Sequence, residues 1–176
     1  MLIDLLRSRR SIRAFTDQPV EQEKLYLLIE AMLRAPAQPG KAPWEFVVVS
    51  YRETIAALSL AKAQGSAFLK DAAVVVVVCA HPQISDVWVE YASIATLLLH
   101  LEAHDLGLGS CWVQVRLRAH DGERSAEEYI AEVLGLDPAM AVEAMVAVGY
   151  PAETKADHPT SSLPYEKVSF ERYERS

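Results

Sequence analysis

Five valines stand in a row at Val74–Val78, inside a run from Ala72 to Ala80 that carries no polar side chain. A half-buried strand alternates apolar and polar residues, so a strand apolar at every position needs cover on both faces. The chain must therefore place helices on either side of a sheet that holds this strand near its centre. At 176 residues with 51% hydrophobic side chains, it is long enough to bury the core of one such domain, and no second domain or internal repeat is visible.

The flanking sequence supplies the helices. After a short apolar helix at Leu2–Leu6 and a turn at Asp17-Gln18-Pro19, Leu25, Leu28, Ile29, Met32 and Leu33 fall on one helical face between Val20 and Ala35, and Pro36 ends that helix. Residues 52–63 and Ser125–Leu134 predict two further helices, broken by Gly65 and Gly135. Trp88 to Leu106 is the longest helical stretch and is apolar nearly all round in its middle, which suits a domain centre or a subunit interface. Strands are predicted at Trp44–Ser50, Ala72–Ala80, Leu108–Val115 and Met140–Tyr150, and the alternating Lys167–Tyr173 reads as an exposed or added strand. The pattern is a sheet of about five strands with helices on both faces.

Chemistry concentrates near the N-terminus, where Arg7, Arg9, Arg10 and Arg13 place four arginines within seven residues of a chain whose net charge is −7. If the stretch runs extended, Arg9, Ser11 and Arg13 point the same way, two guanidinium forks flanking a hydroxyl. That set is a cradle for a phosphate monoester or else a solvated turn. The overall acidity argues against general binding to nucleic acid or anionic membranes. No uncharged run approaches the length of a membrane span, and the first residues are in the reverse order of a secretory signal, so a cytoplasmic location is expected.

Other constellations offer little. Gly107-Leu108-Gly109 follows a helix instead of opening one, against a dinucleotide fingerprint, and no Walker sequence occurs. His100 and His104 share a helix face, but no third metal ligand accompanies them and Glu102 projects from the opposite side. Cys79 and Cys111 lie in apolar runs without a CxxC pattern and read as two buried thiols. An anion cradle without catalytic side chains or a metal set points to a bound cofactor that carries the chemistry.

Four stretches, in order, carry a resemblance: Arg9-Arg10-Ser11-Ile12-Arg13-Ala14-Phe15, Ala35-Pro36 through Pro43-Trp44-Glu45-Phe46, Leu106-Gly107-Leu108-Gly109-Ser110-Cys111-Trp112, and Val148-Gly149-Tyr150-Pro151. Together they resemble the nitroreductase family of FMN-dependent oxidoreductases across nearly the whole chain. The resemblance implies an α+β fold with a mainly antiparallel sheet, working as a homodimer with FMN at the interface. It implies that Arg9, Arg10, Ser11 and Arg13 hold the FMN phosphate and ribityl chain, joined by Lys155. The loop with Pro36, Ala37, Gln38, Gly40 and Lys41 would lie along the flavin, and backbone at Gln114 and Val115 would approach its N5 atom. Residues 164–176 would form an extension crossing to the partner subunit.

The implied reaction is a ping-pong hydride transfer from NADH or NADPH through flavin N5 to a nitroaromatic, quinone or similar small acceptor. The flavin loop departs from the family's common Ala-Pro-Ser-x-x-Asn-x-Gln-Pro-Trp, with Ala37 for the serine, Gly40 for the asparagine and Ala42 for the glutamine. Lys41 is then either a solvent-facing lysine or a cation that stabilises reduced flavin near N1. A non-catalytic flavin or phosphate-ligand binder, and a flavin oxidase or dehalogenase on the same scaffold, are the competing readings.

Overall fold

The computed structural model describes residues 1–173. Its elements in chain order are α1 (Leu2–Ser8), α2 (Gln22–Leu33), β1 (Trp44–Val49), α3 (Arg52–Ser59), β2 (Val74–Ala80), α4 (Trp88–Asp105), β3 (Gly109–Gln114), α5 (Ala126–Leu134) and β4 (Ala141–Gly149). Among the described residues the strands form one four-stranded sheet in the order β1-β2-β4-β3, every neighbouring pair antiparallel.

The valine run is the reason for the layers. Every residue of β2 is buried. Val75, Val77 and Cys79 join one core with Ile55 and Leu58 of α3 and Ile130 of α5. Val74, Val76 and Val78 join a second core with Leu28 and Met32 of α2 and Leu99 of α4. Strand periodicity thus divides one apolar run between two helix layers. Neighbouring β4 does the same, with Met145 and Ala147 on the first side and Val146 and Val148 on the second. Its pairing with β2 shifts between Val78 and Cys79, leaving Glu143 as an extra, bulged residue.

Local signals set the helix ends. Ser125 accepts the Glu128 N–H and Glu128 returns a carboxylate to the Ser125 N–H, a reciprocal cap that starts α5. Gly135 closes α5 in the left-handed conformation, φ 63°. α3 is shorter than the expected 52–63, because Ser66 Oγ takes the Lys62 N–H and gives its own proton to the Ser59 carbonyl, folding 60–66 into a tight turn.

The expected fifth strand is absent among the described residues. Lys167–Tyr173 takes no strand conformation, and two short 3₁₀ turns, Thr160–Ser162 and Tyr165–Lys167, lead into it. Alternation alone cannot make a strand where no edge lies alongside to complete its hydrogen bonds. The two cysteines are free and buried, and burial pushes the Cys79 thiol up to about 12.

Candidate active site

α1 ends at Ser8, and Arg9 turns into extended backbone (φ −61°, ψ 129°). The chain then passes the start of edge strand β3, where Ser11 bridges Ser110 and the Ile12 N–H donates to the Ser110 carbonyl at 3.0 Å. Farther on, the Thr16 N–H donates to the Tyr150 carbonyl at 2.9 Å. Two apolar plugs, Ile12 and Phe15, pin this segment and are both buried. Each seats against a glycine. A methyl on Gly109 would stand 2.8 Å from Ile12 Cβ, and one on Gly149 would stand 3.1 Å from Phe15 Cδ1.

With its apolar residues turned inward, the segment leaves its arginines beside a cavity of about 240 Å³. Arg9, Arg10 and Lys155 line it, with Ser8, His104, Ser110 and one carboxylate, Glu153. Lys155 donates to the Ser11 carbonyl at 2.7 Å and pairs with Glu153 at 3.1 Å. Glu153 in turn accepts the Arg13 N–H at 2.6 Å and the Ala14 N–H at 3.3 Å. The Arg13 N–H above all, and then Lys155, holds the Glu153 carboxyl below the usual carboxylate range. The strap after β4 therefore ties down the arginine segment while delivering a third cation to the cavity.

Ser11 and Arg13 sit beside this cavity without lining it. The Ser11 hydroxyl meets the Cys111 thiol, which also feels the charges of Arg13 and Lys155, although burial dominates and raises that thiol. Arg13 lies over the Phe68 ring, 5.8 Å from its centroid. The adjacent Arg9 and Arg10 both line the cavity, so strict strand alternation does not hold across the segment. Seating Ile12 against Gly109 sets its course instead.

From Gly109 to Gln114, β3 runs five residue steps, about 17 Å at the rise of an antiparallel strand. At its far end the Gln114 amide is committed to the protein: Oε1 accepts from Trp112 Nε1 at 3.0 Å, and Nε2 donates to the carbonyls of Arg116 and Glu143 at 3.2 and 3.4 Å. The Val115 N–H is likewise given to the Glu143 carbonyl at 3.2 Å. Burial raises the Glu143 carboxyl above its ordinary range.

The Pro36–Lys41 loop is elsewhere. It is mostly exposed, turns at Gly40 (φ 70°) through a Lys41 N–H bond to the Gln38 carbonyl, and leads into β1. Edges β1 and β3 lie three strand spacings apart, about 14 Å. Trp44 pairs across to Ala80 and Ala141, whereas the cavity adjoins Gly109, paired with Gly149 at the other end of β4. The loop and the cavity thus occupy opposite corners of the sheet in one chain.

The helix histidines turn toward serines. His100 Nδ1 lies 2.7 Å from Ser110 Oγ, and its ring stacks on Trp112. Burial, and then the Arg9 charge, pushes His100 down to about 4. His104 Nε2 lies 2.7 Å from Ser8 Oγ. Ser8, His104 and Glu153 are site residues that sequence reasoning missed. The His100–His104 spacing was visible, but nothing in it names a serine 96 residues away.

Residues 6–150 match the sequence model of the nitroreductase family. The chain belongs to that family. A relative from Archaeoglobus fulgidus, described as an NADH dehydrogenase/NAD(P)H nitroreductase, is 34% identical over 87% of each chain. An NADH dehydrogenase of Thermus thermophilus is 33% identical, the match covering 91% of this chain and 90% of that one. The solved structure of an FMN-dependent nitroreductase from Clostridium difficile R20291 superposes with a TM-score of 0.95 at 42% identity, covering 97% of this chain and 99% of that one. The four-stranded antiparallel α+β architecture is thus the nitroreductase-like fold.

Proposed function

We propose that this nitroreductase-family chain is an FMN-dependent NAD(P)H oxidoreductase acting on small acceptors such as nitroaromatics or quinones. The observation that carries the reading is the cavity at the start of β3, where three cations, Arg9, Arg10 and Lys155, face a single carboxylate, Glu153. That donor set fits a phosphate monoester, because guanidinium groups present paired N–H donors and the lysine adds a point charge. The Glu153 carboxylate is already engaged by two backbone N–H groups and Lys155, which lessens its opposition to an anion.

Arg9, Arg10 and Lys155 would hold the FMN phosphate, with Ser11 and Arg13 beside them. FMN held there would supply the hydride chemistry between NADH or NADPH and the acceptor. The protein's own work is to anchor the phosphate and to keep the edge of β3 straight and fixed through the Gln114 and Glu143 bonds. The placement of Pro36–Lys41 at the opposite corner of the sheet supports a homodimer, in which this loop serves the partner's site and residues 164–176 cross between subunits. Such an arrangement would put Pro36, Ala37, Gln38, Gly40 and Lys41 against the flavin without moving either element.

The test is the visible spectrum of the purified protein, followed by NADH or NADPH without oxygen. Flavin absorbance that bleaches on addition of donor, and catalytic turnover with an artificial acceptor, are the expected results. Bound flavin that neither donor reduces would leave a flavin binder in place of an oxidoreductase. A protein that is colourless and takes up no added FMN would overturn the assignment of the cavity.

A further inference from the structure

His100 and His104 stand one turn apart on α4, and each is hydrogen-bonded to a serine flanking the arginine segment. Ser110 is fixed from below by His100 and receives the Ile12 N–H on its carbonyl. Ser8 is the last residue of α1 and immediately precedes Arg9. Its hydroxyl lies 2.9 Å from the Asp4 carbonyl, one turn back, and 2.7 Å from His104 Nε2. A serine hydroxyl has one proton, and with that proton on the Asp4 carbonyl the second contact is donated by His104 Nε2–H.

α1 has no buried residue, so packing alone does little to fix where it ends. The bond from His104 therefore ties an otherwise loosely held helix end to α4, at the residue where the backbone leaves the helix and Arg9 becomes extended. Both Ser8 and His104 also line the cavity. We propose that His104 is a positioning residue for the phosphate end of this cavity, holding through the Ser8 hydroxyl the turn that aims Arg9. The proposal rests on the reading of the cavity as the FMN phosphate site.

The experiment titrates flavin-free full-length protein with FMN and with riboflavin, which lacks the phosphate, following flavin fluorescence. His104→Ala is expected to weaken FMN about tenfold while leaving riboflavin affinity within about twofold, the size of one lost hydrogen bond. His104→Gln, whose amide can donate near the same place, is expected to recover most of the FMN affinity. Loss of both ligands in parallel, loss of neither, or no recovery in His104→Gln would overturn the proposal. Melting temperatures of both variants identify a folding defect, and if His104→Ala does not fold, Ser8→Ala, which breaks the same bond from its other end, carries the test with the same expected loss of FMN relative to riboflavin. Arg9→Ala is the control for the underlying reading. If it fails to weaken FMN relative to riboflavin, the phosphate lies elsewhere; if it does weaken FMN and His104→Ala does not, only the role of His104 falls.

Discussion

Gly109 lacks a side chain at the point where the segment plugs into the sheet, since an added Cβ would stand 2.8 Å from both Ile12 Cβ and Cγ2. Neither atom is the free end of a flexible chain, so the Ile12 backbone would have to retreat. Gly109→Ala should cost about 1–3 kcal/mol, the range for overpacking a filled core, and should weaken FMN binding as the Ile12 bond to Ser110 lengthens. Urea unfolding together with an FMN titration checks this, and an unchanged midpoint would mean that the segment yields freely. His100 makes a different prediction at the same scale. Its imidazole is pushed from 6.5 to about 4 in the folded protein, by burial first and by Arg9 second. Protonation therefore favours the unfolded chain. The stability at stake is fully present above pH 6.5 and is lost as pH falls toward 4, on the order of 3 kcal/mol in the limit. His100→Gln removes the titration, so it should lose less stability than the parent between pH 7.5 and 4.5 in urea unfolding curves. Equal losses would place the acid sensitivity in other groups.

The arginine segment and the strap after β4 act as one element although 140 residues separate Arg13 from Glu153. Glu153→Ala leaves the Arg13 and Ala14 N–H groups without their acceptor and releases Lys155 from its pair, so FMN affinity should fall about tenfold. Glu153→Gln keeps an acceptor oxygen and should fall less than about threefold. An FMN titration that ranked the two variants the other way would show that removing negative charge from the cavity outweighs the tether. This coupling also marks the boundary of what the sequence disclosed. Val74–Val78 announced a doubly covered strand, because burial on two faces leaves no room for a polar side chain at any position. Gly135 announced the end of α5 through local chemistry, whereas the Ser125/Glu128 cap at its start emerged only in the structure. Arg9, Arg10 and Lys155 could be named from their charge and the family resemblance. The Glu153 strap and the His104–Ser8 bond could not, since each joins residues that only the folded sheet brings together. Strand alternation did not foresee that the neighbours Arg9 and Arg10 would both line the cavity with Ser11 and Arg13 beside it, a course set where Ile12 seats against Gly109.

At the scale of the whole molecule, exposed apolar residues stand on α4 and along the tail after β4. On α4, the sheet-facing stripe of Ala92, Ala95, Leu99 and Ala103 is buried, while Leu97 and Ile94 on its other side are 48% and 37% exposed. Beyond β4, Leu163, Tyr165, Val168 and Phe170 are all exposed, Phe170 at 83%. Apolar residues spaced along an extended tail gain little from the chain that carries them, but they gain from an acceptor surface on another chain. In the proposed homodimer the loop at Pro36–Lys41 would meet the partner's cavity, since in one chain the loop and the cavity at Arg9 occupy opposite corners of the sheet. A chain ending at Leu163 is therefore expected to sediment as a monomer where the full chain sediments as a dimer, and to lose its flavin on gel filtration. Its far-ultraviolet circular dichroism should stay close to that of the full chain, because the truncation removes no residue from the sheet or from α1–α5. A truncated protein that remained dimeric and yellow would show that the tail is dispensable and that the α4 face alone joins the subunits. A monomer that kept its flavin would show instead that one chain suffices for the cofactor, and the loop at Pro36–Lys41 would then need another role.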